Sequence, residues 1–184
     1  MIALWLPLLV SAVVVYLLSS VMHMVLRHHR TDFSKLPSEA TALEGFRKAN
    51  VPPGDYFFPC PDNYADLNTP EMQEKFKQGP VGYATVLPSG PWTMGTSLAQ
   101  WAVYCVAISA FVAYLASRTL TPGTEFMQVF RVAGTLAFLG YSGAQPVQSI
   151  WSKRRWSTTW KHVADGLVYA LATGLVFAFF WPES

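Results

Sequence analysis

This chain is short of charge. Asp, Glu, Lys and Arg make up 13% of its 184 residues, against roughly 25% in average proteins. The formal net charge is +2, and the longest basic block is Lys153-Arg154-Arg155. A field that weak does not recruit a polyanion, so nucleic acid is excluded as a partner. Cysteine is scarce too. Cys60 and Cys105 stand alone, and Cys105 falls inside an apolar run, so no disulfide framework is expected. There is no C-x-x-C pair, no Gly-rich phosphate loop, no nucleophile elbow and no zinc signature. Cys60, in F-F-P-C-P-D, has no base nearby in the sequence to make it a nucleophile.

What the chain has instead is apolar length. Hydrophobic residues make up 52% and aromatics 15%, gathered into four long runs. A bilayer crossing takes about 20 predominantly apolar residues. The reading is an all-α integral membrane protein with four transmembrane helices and a small α+β insert between the first two. The expected boundaries are 2–26 for the first helix, 97–117 for the second, 125–146 for the third and 162–181 for the fourth. Residues 27–96 form the insert and 147–161 a basic, aromatic loop.

Sidedness follows from the cations. Arg27, Arg30, Trp151, Lys153, Arg154, Arg155, Trp156, Trp160 and Lys161 gather at one margin, the arrangement of membrane-interface anchors on the cytoplasmic side. The first run has no positive segment before it and no small-x-small cleavage site after it. It therefore reads as a reverse anchor rather than a cleaved leader. The expected location is a bacterial inner membrane, with both termini outside and residues 27–96 and 147–161 in the cytoplasm.

The insert has its own punctuation. Ser38 is placed to cap a helix from Glu39 to Lys48. Asn50-Val51-Pro52-Pro53-Gly54 must turn, and Tyr56-Phe57-Phe58 suits a short strand. Thr69-Pro70-Glu71 opens a second helix that stops at Gly79-Pro80, and 81–87 suits a second strand. The expected order is helix, strand, helix, strand.

Within the membrane, helices meet through close packing and polar pairs. Gly166, Ala170 and Gly174 make a small-residue stripe on the fourth run, facing Ala133, Gly134 and Ala137 of the third in a tight hairpin. Pro146 is expected to end or kink the third helix. Polar groups inside a bilayer are costly and face protein or water. His23, Gln100, Gln145, Asp165 and Tyr169 fall at one depth near the inner ends of the four helices. They form a candidate inner polar cluster, either a pocket open to the cytoplasm or a set of mutual hydrogen bonds that fixes the bundle. Arg131 belongs near the outer end, with Glu125 or the outer headgroups as its company. His28 and His29, flanked by arginines, read as a headgroup-facing basic cluster.

No cofactor is expected. A haem between His23 and His162 is the only axial pair that can be drawn, and it is disfavoured because neither helix repeats the histidine. Catalytic and metal-binding residues are not identified. Three functions fit these features. The first is a non-enzymatic accessory or scaffold subunit of a larger inner-membrane assembly, in contact with lipids and with other integral subunits or copies of itself. The second is a small oligomeric transporter or channel with a cytoplasm-facing pocket around Asp165. The third is a membrane enzyme acting on a lipid or quinone at the inner surface. The first is preferred because no catalytic motif is present and the insert is rich in aromatics and prolines suited to a partner surface.

Overall fold

Runs without charge or internal glycine clusters fold as long helices, and these dominate. The computed structural model describes residues 2–183, of which most are helical, with a small two-stranded sheet. Three helices are long and apolar enough to cross a membrane: Trp5–Val25, Gly95–Thr119 and Trp156–Phe179. The chain divides into two compact units. One takes in the residues up to Ser34 and those from Thr93 onward, and the other is Lys35–Trp92.

The first unit is a bundle. Helix α1, Trp5–Ser20, tolerates Pro7 because its first-turn N–H has no helical acceptor anyway. It then widens into a π-helical segment, Val21–Val25. Helix α4, Gly95–Thr119, lies against α1. Ser11 and Ser109, both fully buried, link them through a 2.9 Å hydroxyl–hydroxyl bond. Helix α5, Phe126–Ser142, has 17 residues, which at 1.5 Å each gives about 26 Å.

Helix α7, Trp156–Phe179, packs on α5 along the small-residue stripe. A β-carbon added at Gly174 would sit 2.9 Å from the Phe130 carbonyl oxygen, and one at Gly166 would collide with the Ser142 hydroxyl. The two backbones meet that closely only because glycine stands at both positions. The far end is tied by Gly123 N–H donating to the Pro182 carbonyl at 2.8 Å and by Trp181 Nε1 donating to Thr121 at 3.0 Å. Gly123 adopts φ +77° there, a conformation that glycine takes without strain.

Two boundaries differ from those expected by four residues or more. The third helix ends at Ser142, not 146, and Pro146 sits in the first turn of a separate short helix, α6, Gln145–Ile150. Proline is suited to that position, so it starts a helix rather than kinking one. The fourth helix begins at Trp156, six residues before His162. The expected loop of 147–161 shrinks to Trp151–Arg155, because Thr159 and Ser149 share a 2.5 Å hydrogen bond that clasps α6 to α7.

The second unit contains α2, Glu39–Lys48, β1, Gly54–Phe58, α3, Pro70–Gln78, and β2, Gly82–Val86. The strands pair antiparallel with Phe57 opposite Tyr83, their rings 4.8 Å apart. Thr69 caps α3 by accepting from Met72 N–H. Ser38 does not cap α2. Its backbone is left-handed, φ 52°, and its side chain makes no bond to the helix, so only its carbonyl serves the first turn, accepting from Ala42.

Candidate functional site

The site begins where α1 stops. After the π-helical segment, Leu26 is extended and Arg27–Thr31 winds as a short 3-10 turn. This reversal carries His28 and His29 to a carboxylate on α7. Asp165 is 2% exposed, a placement that costs several kcal/mol unless the charge is met. His28 Nε2–H donates to its Oδ1 at 3.0 Å. His29 Nε2 lies 2.5 Å from its Oδ2, and His23 Nε2 stands 4.0 Å from the same oxygen. The His23 and His29 rings are stacked, 4.3 Å apart and 10° from parallel. The His162 ring lies 4.9 Å from that of His29. All four histidines of the chain are therefore in one cluster.

A second buried carboxylate supports the first. Asp32 Oδ2 accepts from His29 Nδ1 at 2.6 Å, and its Oδ1 accepts from Lys161 Nζ at 2.8 Å. Arg155 donates to the carbonyls of Thr31 and Asp32, and Lys161 also reaches the Thr31 hydroxyl. Burial alone would push the Asp32 carboxyl up. The hydrogen bonds from Lys161 and His29, with their charges, outweigh it and hold Asp32 below the usual carboxylate range.

Above this cluster opens a cavity of about 740 Å³. His23, His162 and Asp165 form its polar end. Its walls include Trp101, Tyr104, Tyr141 and Tyr169. Two of these are fixed by hydrogen bonds: Trp101 Nε1 donates to Ser19 Oγ and Tyr104 to the Gly140 carbonyl, both at 2.7 Å. The hydroxyls of Tyr141 and Tyr169 are buried without a protein partner. Buried hydroxyls are rarely left so. Two such donors beside one cavity are groups that a bound molecule or water can satisfy.

His23, Gln100, Gln145, Asp165 and Tyr169, placed together by depth alone, all line this cavity. Gln145 is held there by Arg154, which donates to its side-chain and backbone oxygens. The residues that sequence reasoning missed are His28, His29 and Asp32, along with Trp101, Tyr104 and Tyr141 of the wall. Their arginine neighbours suggest a headgroup-facing cluster for His28 and His29, but the two histidines turn inward to Asp165. Three of the expected anchors, Arg154, Arg155 and Lys161, bond within the bundle. Trp151, Trp156 and Trp160 are exposed, the last two stacked on each other, and Arg27 and Arg30 are exposed as well. Lys153 donates to the Ile150 carbonyl. Arg131 stands exposed on α5, away from the cavity lining, and forms no ion pair with Glu125 among the described residues.

No protein-family model matches this chain, and no curated protein or solved structure matches it.

Proposed function

We propose that this chain is a four-span membrane protein that binds a lipid-soluble molecule with a polar head, acting on it at the cytoplasmic face of a bacterial inner membrane. In this reading α5 is the fourth span, shortened because α6 takes over at the headgroup level. The observation that carries the proposal is a cavity whose lining joins aromatic side chains to a histidine–aspartate group. Such a shape takes an apolar ring or chain along Trp101, Tyr141 and Tyr169. It presents the head to groups able to donate, accept and transfer protons. A scaffold role uses these groups only as mutual bonds that fix the bundle, and it gives the aromatic cavity no occupant.

The experiment is mass analysis of the organic extract from protein purified in mild detergent. A copurifying lipid or quinone is expected in the wild type and is expected to be lost in Leu98→Trp, which fills the cavity from α4. Identical extracts from the two proteins would overturn the proposal.

A second reading is supported by a separate observation. In the unit Lys35–Trp92, Tyr64 is 90% exposed and Trp92 81%, which suits an accessory subunit docked on other membrane chains. Native mass analysis after gentle extraction tests it, and a lone monomer counts against it.

A further inference from the structure

We infer that His23, His29, His162 and Asp165 bind one divalent first-row metal ion of the zinc class. Each offers one ligand atom, and the four atoms lie within 4.8 Å of one another. Ligands about 2.1 Å from a tetrahedral ion stand about 3.4 Å apart, so side-chain rotations of about an ångström complete the site. Three imidazoles and a carboxylate form a borderline-hard donor set that suits zinc, iron or nickel rather than magnesium or calcium.

The surrounding hydrogen bonds support this assignment more strongly than the distances do. His23 Nδ1 faces the Ser19 carbonyl at 3.0 Å. A carbonyl only accepts, so Nδ1 carries the proton and Nε2 is the nitrogen turned toward Asp165. His29 is fixed in the same sense, its Nδ1 donating to Asp32. Metal-bound histidines are oriented in this way, the far nitrogen held by a carboxylate or a backbone carbonyl. His28 occupies Oδ1 of Asp165 and leaves Oδ2 for the ion. His29 Nε2 and Oδ2 of Asp165 face one another, so these two ligand atoms already point to the same place. Lys161 holds the other oxygen of Asp32, so the orienting network is continuous from the ligand out to the basic segment at the start of α7.

The inference rests on the cavity reading for its purpose, because His23, His162 and Asp165 border the cavity and a bound ion would face its polar end. It does not rest on that reading for its test. Untagged protein, stripped with a chelator and dialysed, is titrated with Zn²⁺ by calorimetry and with Co²⁺ by visible absorption. One equivalent per chain is expected, with the intense d–d bands of four-coordinate cobalt. His162→Gln and Asp165→Asn are each expected to weaken binding at least tenfold. Asp32→Asn, which touches no metal, is expected to weaken it about 10- to 100-fold.

Circular dichroism of each variant checks folding. If Asp165→Asn does not fold, His162→Gln carries the test. Absence of stoichiometric binding in the wild type, or equal affinity in wild type and His162→Gln, overturns the inference. Failure here with the copurifying lipid retained would leave the cavity proposal standing. Metal bound to a protein that extracts no lipid would leave the metal site alone standing.

Discussion

Gly166 is the position where the packing of α5 on α7 and the shape of the cavity can be tested together. A β-carbon there collides with the Ser142 hydroxyl and lies 3.3 Å from the carbonyl carbon of Tyr141. The hydroxyl can rotate away, but it then gives up its 3.2 Å bond to the Val163 carbonyl, worth about 0.5–1.5 kcal/mol. The backbone of Tyr141 cannot yield without shifting α5. Overpacking of this kind costs about 1–3 kcal/mol, and alanine returns up to about 1 kcal/mol through its better helix propensity. Gly166→Ala is therefore expected to destabilise the bundle by about 1–2 kcal/mol, measured by reversible unfolding in mixed micelles. Ser142→Ala removes the colliding oxygen, so the double variant should recover about 1 kcal/mol of the loss. Gly95→Ala, where nothing lies within 4 Å, is the control and should stay within about 0.5 kcal/mol of wild type. A neutral Gly166→Ala, or a strictly additive double variant, would show that α5 and α7 do not approach as described.

Three further outcomes are expected. A double-mutant cycle of Ser11→Ala and Ser109→Ala should give a coupling of about 0.6 kcal/mol, the average for polar pairs between membrane helices; zero coupling would mean that α1 and α4 do not share that bond. Lys161→Met takes one partner from Asp32, whose side chain is 5% exposed, and should cost about 1.5–3 kcal/mol, whereas Arg27→Met, at an exposed site, should cost little; equal costs would remove Lys161 from the network. Cys60 is exposed and Cys105 fully buried, so an impermeant maleimide should label Cys60 in inverted vesicles but not in intact spheroplasts, and Cys105 only after unfolding. Labelling of Cys60 in spheroplasts would turn the proposed orientation over.

The helices were legible because bilayer length and small-residue spacing are one-dimensional properties. Gly166, Ala170 and Gly174 lie one turn apart, and that spacing alone places them on a single face. The same logic brought Asp165 and Tyr169 to one depth with His23, Gln100 and Gln145. Periodicity says nothing about the chain after a helix ends. His28, His29 and Asp32 follow the extended Leu26, and where they land depends on a reversal that no spacing encodes. Their neighbours Arg27 and Arg30 do face outward, and composition alone gave the histidines the same direction. The basic segment hides its inward bonds for a related reason. A lysine beside tryptophans looks like an anchor, and only the position of Asp32 shows that Lys161 also has an inward bond.

The π-helical stretch at the end of α1 sets the phase of the whole site. Leu26 N–H bonds to Val21, five residues back rather than four, so the winding there carries one residue more than a regular turn. Each residue of an α-helix advances the azimuth by about 100°. Excising Val21 or Met22 would restore regular winding and swing the imidazole of His23 about that far around the axis. Every residue type in the cluster would survive such a deletion, and the convergence would be lost. The identity of the site therefore resides as much in that one surplus residue as in the histidines, His23, His28 and His29, that it and the following turn carry to Asp165.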